Sequence, residues 1–264
     1  MSKLLSLVLV AAMLSNASAK LVTKTVSYQD GEVQLKGYLA YDDAKTSQGK
    51  LPGVAIVPEW WGVNDYVKHR AEQVAKLGYV AFVVDMYGDG QVTTDAKQAG
   101  ALAGQFYGKP LMATRARAGL DALLASGLVD PAKVASIGYC FGGTTSLALA
   151  FSGAPLAAAV TFHAGLIPVP AGAASATHAK FLINHGALDP MVKKADLDTF
   201  IQGMDDAKFD YQFISYSGAV HAFTNPGADA AAKANGLGGA IAYNEAADHR
   251  SFAAMRGFLA ETFK

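Results

Sequence analysis

The stretch that decides the fold is Lys133–Ala150, which reads K-V-A-S-I-G-Y-C-F-G-G-T-T-S-L-A-L-A. It predicts a short apolar strand, a sharp turn and a helix built from small residues. Cys140, the one cysteine of the chain, lies at the turn between Gly138 and Gly142. This is the G-x-S-x-G nucleophile-elbow pattern with sulfur in place of the hydroxyl oxygen. The glycines permit the tight turn, and the N–H groups that begin the helix favour a thiolate or an oxyanion. The alternative is a buried core thiol, since free cysteines are commonly buried.

Length and composition favour one α/β domain. The chain has 264 residues, of which 52% are hydrophobic and 17% charged, and its formal net charge is zero. These values indicate a large core and no basic face for nucleic acid. A single cysteine excludes an internal disulfide, and no Cys/His spacing typical of zinc is present, so we predict no metal or other cofactor.

The first 19 residues differ from the rest. Lys3 precedes the apolar run Leu4–Leu14, and Ala17-Ser18-Ala19 matches a signal-peptidase site,. We predict a signal peptide over residues 1–19, cleavage near Ala19, and a periplasmic or secreted domain over residues 20–264. A membrane anchor is the alternative, but the run is too short to span a bilayer.

The remaining chain alternates between strand and helix patterns. An antiparallel hairpin is predicted at Val22–Tyr28 and Glu32–Tyr41, and continuous apolar runs such as Gly53–Val57 are typical of strands covered on both faces,. The pattern predicts an α/β-hydrolase fold: a doubly wound, mostly parallel sheet with an N-terminal antiparallel hairpin. Later elements include helices at residues 65–77, 93–107, 111–126, 193–206 and 241–263, and a long loop at residues 218–239.

A nucleophile of this kind needs a base and an orienting acid. In α/β-hydrolases the acid and then the histidine follow the nucleophile in the chain. Asp189, in H-G-A-L-D-P, fits the acid, although Asp-Pro is also a common turn,. His221, in G-A-V-H-A-F, fits the base. His163 follows another predicted strand and is a candidate for the substrate pocket, although an isolated histidine is usually structural.

The segment Glu59-Trp60-Trp61-Gly62-Val63-Asn64 follows the buried strand that ends at Val57. In this fold the corresponding loop donates one backbone N–H to the oxyanion hole, and the residue after the nucleophile donates the other. Those residues are Trp60 and Phe141. Glu59 is unexpected beside an oxyanion, so it either accepts the thiol proton or is a solvated or ion-paired glutamate.

Four segments together resemble the dienelactone hydrolase family of α/β-hydrolases, from about Thr23 to the C-terminus. They are P-E-W-W-G-V-N, G-Y-C-F-G-G, H-G-A-L-D-P and A-V-H-A-F. The resemblance implies Cys140 as nucleophile, His221 as general base and acid, and Asp189 as orienting carboxylate. It also implies that Glu59 helps to form the thiolate and that Trp60 and Phe141 form the oxyanion hole.

The sequence departs from the family where the best-studied members carry two arginines that hold a substrate carboxylate. Residues 85–90 read D-M-Y-G-D-G and residues 221–226 read H-A-F-T-N-P. Without a bidentate clamp, a carboxylated lactone loses its main orienting contact. We therefore expect a neutral small ester or lactone to bind an aromatic pocket, whose candidate residues are Trp61, Tyr87, His163 and Phe223.

The sequence thus predicts a monomeric hydrolase of esters or lactones that acts through a Cys140 thioester. A catalytically weak binding protein on the same fold is one alternative, because fold alone does not determine function. A thiol redox protein is another, although the chain has no resolving cysteine.

Overall fold

The fold is described by a computed structural model that covers residues 20–264. The predicted signal peptide, residues 1–19, lies outside the described residues. The strands are β1 (Leu21–Asp30), β2 (Val33–Asp42), β3 (Leu51–Val57), β4 (Val80–Val83), β5 (Val129–Tyr139), β6 (Ala158–Phe162), β7 (Lys180–Gly186) and β8 (Tyr211–Tyr216). The helices are α1 (Asp43–Thr46), α2 (Asp65–Lys76), α3 (Ala96–Ala103), α4 (Leu111–Ala125), α5 (Phe141–Phe151), α6 (Ala173–Ala176), α7 (Lys194–Asp206), α8 (Ala228–Asn235) and α9 (Glu245–Thr262).

The strands form one sheet in the order β1-β2-β4-β3-β5-β6-β7-β8. The β1–β2 and β2–β4 pairs are antiparallel, and every other neighbouring pair is parallel. This confirms the predicted α/β-hydrolase fold with its N-terminal hairpin. The hairpin turns at Gly31 and Glu32, since Asp30 pairs with Val33, and Gly31 has the positive φ that a two-residue hairpin turn requires,.

Both faces of the sheet are buried, which explains the continuous apolar runs. In β3, Ala55 and Val57 belong to the core on one face, whereas Val54 and Ile56 belong to the core on the other. Helices α4, α5 and α7 cover the first face, and α2 and α9 cover the second. Because side chains alternate along a strand, a strand buried on both faces has no polar period.

The bounds of two predicted helices were wrong, and one predicted loop contains a helix. The helix predicted at residues 93–107 is confined to α3 because the Asp95 side chain accepts the N–H of Gln98 and so begins the helix there,. The helix predicted at residues 241–263 begins only after Asn244, which caps it by accepting the N–H of Ala247. The predicted loop at residues 218–239 contains α8, and that helix ends at Gly236, whose φ is positive,.

The parallel strands β3, β5, β7 and β8 bring their carboxyl ends to one edge of the sheet. Glu59, Cys140, Asp189 and His221 all follow these ends within a few residues. Ligand sites of open α/β sheets lie at this edge.

In the part of the chain that the structure describes, no helix combines the length and the hydropathy that a membrane span requires.

Candidate active site

Cys140 lies at the junction of β5 and α5 with φ 54° and ψ −119°, a conformation that L-residues rarely adopt,. Such backbone strain costs about 1–3 kcal/mol and persists only where the surrounding structure enforces it. A Cβ on Gly138 would lie 1.9 Å from the Gly142 carbonyl oxygen, and one on Gly142 would lie 2.2 Å from that of Val57. Both glycines are therefore required by close backbone contacts at the turn, as the elbow pattern predicts.

Asp189 and His221 are brought together from two loops. His221 Nδ1 lies 2.8 Å from Asp189 Oδ2, and both residues are buried. The other oxygen, Oδ1, accepts the N–H of Met191. Asp189 is therefore both a turn residue and the partner of His221. One of its oxygens orders the Asp-Pro turn, and the other fixes the imidazole.

The His221 loop is anchored on its C-terminal side. His221 forms a parallel bridge with Ile241, and its carbonyl accepts the N–H of Ala242 at 3.2 Å. The next residue, Ala222, has φ 58°. The ring is thereby held by a carboxylate at Nδ1 and by the backbone at its base.

The second ring nitrogen of His221, Nε2, takes no part in the contact with Asp189. It is buried and has no hydrogen-bond partner within residues 20–264 that meets the geometric criteria for such a bond. Burial lowers the pKa of His221, but the nearby Cys140 thiolate and the Asp189 carboxylate outweigh it and raise the pKa to about 10. The surroundings of His221 therefore favour its protonated form.

Glu59 is buried at 3% exposure, and its Oε2 accepts a 2.7 Å hydrogen bond from Asn225 Nδ2. Burial raises the pKa of Glu59 to about 7, although Asn225, His221 and Arg70 all act to lower it. Of the two interpretations left open by the sequence, a solvated or ion-paired surface glutamate does not fit this burial. Within the described residues, its hydrogen-bond partner is Asn225 and not Cys140.

The backbone N–H groups of Trp60 and Phe141 have no acceptor among the described residues. That of Phe141 is one of the unpaired donors at the start of α5,. The Trp60 carbonyl accepts a 2.9 Å hydrogen bond from Tyr87 Oη, which fixes this peptide. The two donors predicted for an oxyanion hole are thus both unoccupied.

Aromatic side chains surround Cys140. Tyr87 stacks on Phe141 at 6.0 Å, and Tyr107 meets Phe141 edge-on at 5.6 Å. Burial, and after it the charge interaction with Cys140, raise the pKa of both tyrosines. Tyr107 is nevertheless 49% exposed, so it lies at the mouth. The sequence did not single it out, because it follows α3 in a polar turn.

The other predicted pocket residues are Trp61, His163 and Phe223, and His163 is in contact with Cys140. Trp61 lines a neighbouring cleft of about 890 Å³. His163 and Phe223 are fully buried, with ring centroids 5.2 Å apart. They support the His221 loop from beneath, since the His163 and His221 rings are also 5.2 Å apart.

A polar network that the sequence did not reveal holds the same loop. Thr224 Oγ1 contacts Tyr66 Oη at 2.6 Å and His163 Nε2 at 2.7 Å. The Thr224 carbonyl accepts from Arg70, whose guanidinium also pairs with Asp248. Burial, the largest influence, and the charges of His221 and Arg70 lower the pKa of His163 well below its usual range. His163 is therefore a neutral structural partner of Thr224.

Within the described residues no group of three or more His, Cys, Asp or Glu side chains is arranged to hold a metal ion. The chemistry offered is instead that of a thiol at a strained elbow, an oriented imidazole and two free N–H donors. With this sheet order, these features define an α/β-hydrolase.

The chain belongs to the dienelactone hydrolase family, whose model matches residues 35–263. It is therefore a hydrolase of the kind that acts on esters or lactones, as the resemblance of its four segments predicted.

Individual relatives agree with this assignment. The crystal structure of P91, a dienelactone hydrolase-like promiscuous phosphotriesterase from metagenomic libraries, is 40% identical, with a TM-score of 0.87 over 92% of this chain and 99% of that one. The structure of a protein called m3DLH is also 40% identical, with a TM-score of 0.85 over the same shares. A Bradyrhizobium protein named "probable 2-oxo-3-(5-oxofuran-2-ylidene)propanoate lactonase" is 28% identical over 77% of this chain and 86% of its own length.

Proposed function

We propose that the protein hydrolyses neutral carboxylic esters or lactones through a covalent thioester on Cys140. The Cys140 thiolate attacks the carbonyl carbon, and the resulting oxyanion accepts from the Trp60 and Phe141 N–H groups. Imidazolium His221 then donates its Nε2 proton to the leaving alkoxide as the C–O bond breaks. In the second half-reaction His221 takes a proton from water, hydroxide attacks the thioester, and the thiolate leaves.

The observation that carries this proposal is the state of the His221 ring. Its Nδ1 is fixed by Asp189 at 2.8 Å, which leaves Nε2 buried and without a partner beside Cys140. A ring held in this way can receive a proton on one side only. A purely structural histidine, such as His163, instead has Nε2 satisfied at 2.7 Å by Thr224.

Glu59 has a separate role in this proposal. Because its pKa is raised to about 7 by burial, a large fraction of it is neutral at neutral pH and does not repel the oxyanion at Trp60. The anionic fraction can take the thiol proton of Cys140, which requires that its carboxylate turns from Asn225. Glu59 then releases that proton to solvent.

The substrate is proposed to be neutral and to have an apolar group. Tyr87, Tyr107 and Phe141 surround the thiol, and position 225 carries an amide that is engaged with Glu59. Residues 85–90 and 221–226, where the best-studied family members carry arginines, contain no arginine here, so no guanidinium from these segments can hold a substrate carboxylate. Burying such a carboxylate without a partner is strongly unfavourable.

Stopped-flow hydrolysis of p-nitrophenyl acetate tests the mechanism. We expect a burst of one p-nitrophenolate per protein that is lost in Cys140→Ala. The conservative variant Cys140→Ser controls for folding and should retain a slow turnover without changing the circular dichroism spectrum. A wild-type protein with no burst and no turnover on a panel of esters would favour a binding protein, and the proposal would fail.

The substrate class is tested separately with paired lactones that differ only by a carboxylate. We expect kcat/KM to be higher for the neutral member, because residues 85–90 and 221–226 offer the carboxylated one no arginine to pair with,. A preference for the carboxylated member would show that another group replaces the missing arginines.

A second candidate activity is hydrolysis of phosphotriesters, which the 40% identity with P91 favours. The same thiolate would attack phosphorus and expel an aryloxide. Release of p-nitrophenolate from paraoxon by the wild-type protein, and none by Cys140→Ala, is the expected result; equal rates for both proteins would exclude this activity.

We also propose that the protein is exported and cleaved after Ala19, on the basis of the apolar run and the A-x-A site,. N-terminal sequencing of the protein recovered from its native cell should begin at Lys20. A start at Met1 in the cytoplasmic fraction would contradict export.

A further inference from the structure

A second cleft, of about 650 Å³, lies between helices α2 and α9 and is lined by residues 225–227 at one end. We call it the α2–α9 cleft. Neither Cys140 nor His221 lines it. Tyr66, Arg70 and Gln73 follow one face of α2, at helical spacings of four and three,. Its volume falls in the range typical of small-molecule sites.

One cation that lines this cleft, Arg256, has no ion-pair partner among the described residues. The one carboxylate that lines the cleft, Asp248, is already neutralised, since it pairs with Arg70 at 2.5 Å and accepts from Tyr243 Oη at 3.2 Å. The Arg70 and Asp248 side chains are 6% and 7% exposed, so this pair forms part of the wall. Arg256 and His249 also line the cleft, and neither forms an ion pair or side-chain hydrogen bond with residues 20–264.

Arg70 itself has unused donor capacity. Its terminal nitrogens contact Gln73, Asp248 and the Thr224 carbonyl, but Nε is buried and has no acceptor among the described residues. A buried donor without a partner is costly, and such groups usually indicate an acceptor that the chain does not supply. Arg256 and the buried Nε of Arg70 both favour an anionic ligand.

The remaining lining is largely aromatic and apolar. Tyr66, Tyr243, Phe252 and Pro226 all face the cleft. Flat rings pack well against aromatic side chains in offset or edge-to-face arrangements. The cleft therefore offers apolar faces for a ring and cationic groups for an acid.

We propose that the α2–α9 cleft is a binding site for a small aromatic carboxylate, whose acid group pairs with Arg256 and whose ring packs on Tyr66 and Phe252. The site is distinct from the one that contains Cys140. The two sites share Asn225, which lines the cleft and donates to Glu59. Binding must therefore be tested with the active site blocked.

Isothermal titration of the mature protein with benzoate is the test, with benzamide as the neutral probe of the same shape. We expect saturable binding of benzoate and at least tenfold weaker binding of benzamide, because a charge-assisted hydrogen bond contributes about one order of magnitude in affinity. The absence of saturable binding at millimolar benzoate would overturn the proposal.

Two further measurements locate the site. Arg256→Gln should weaken benzoate binding about tenfold, whereas Arg250→Gln, an exposed arginine on the same helix that does not line the cleft, should leave it unchanged. Protein whose Cys140 carries N-ethylmaleimide should bind benzoate with unchanged affinity. Loss of binding on alkylation, or equal affinity in Arg256→Gln and wild type, would place benzoate elsewhere and refute the proposal.

Discussion

Replacing Glu59 with glutamine should make the protein progressively more stable relative to wild type as the pH rises from acid to neutral. Burial raises the pKa of Glu59 from 4.5 to about 7. A carboxyl whose pKa is raised on folding stabilises the fold fully below the unfolded value, and this stabilisation is lost as the pH rises through the folded value. The shift corresponds to roughly 3 kcal/mol between about pH 4.5 and pH 7.

Glutamine keeps the shape of Glu59 and can still accept the hydrogen bond from Asn225 Nδ2. Glutamine does not titrate, however, so the loss of stability that accompanies ionisation of Glu59 disappears. The difference in unfolding free energy between Glu59→Gln and wild type should therefore increase by roughly 3 kcal/mol from pH 4 to pH 8 and then level off. Taking this difference between the two proteins cancels titrations that both share.

Urea unfolding at pH 4, 6, 7 and 8 measures the effect. Glu32→Gln removes an exposed carboxyl in the β1–β2 turn and serves as the matched control for loss of one charge. A difference between Glu59→Gln and wild type that stays constant with pH would refute the assignment of a raised pKa. The rate constant of the burst in the same variant reports separately on attack by the thiolate, which should become slower.

Three other substitutions test the site. Gly138→Ala should destabilise the protein by more than about 3 kcal/mol in urea unfolding, since its Cβ would lie 1.9 Å from the Gly142 carbonyl oxygen,; Gly257→Ala, with open space around it, is the control. Asp189→Asn should lower kcat about 10³- to 10⁴-fold and lower the pKa of His221, which the Asp189 carboxylate helps to raise, measured by imidazole NMR; an unchanged kcat would contradict the orienting role. Tyr107→Ala should raise KM for aryl esters several-fold with little change in kcat, because it removes apolar contact at the mouth; an equal fall in kcat would place Tyr107 in the chemical step.

The overall fold could be predicted because its signals are local. The elbow at Gly138–Gly142 requires a strand before it and a helix after it, and apolar runs such as that in β3 indicate strands covered on both faces. The residues at which helices begin and end were harder to predict from the sequence. Whether Thr93 or Asp95 begins α3 depends on which side chain reaches the free N–H groups, and composition does not distinguish them,.

Chain order carries the part of the candidate site that could be read from the sequence. Cys140, Asp189 and His221 follow strand ends in the order that the fold requires. The partners of these residues were not predictable, since the hydrogen bond from Asn225 to Glu59 joins positions 166 residues apart. Thr224 likewise gains its contacts with Tyr66 and His163 only when α2, β6 and the His221 loop meet.

The residues that lower the stability of the fold are also the ones proposed to act in hydrolysis. Cys140 holds a φ of 54° that an ordinary turn would avoid, and Glu59 is a carboxyl buried with one amide as its hydrogen-bond partner. His221 Nε2 is a buried polar atom left without an acceptor or donor among residues 20–264. Each of these costs folding free energy by a different mechanism, and a chain selected only for stability would lose all three. They lie at one sheet edge beside two free N–H groups, so binding and turnover of an ester is the process that explains their presence together.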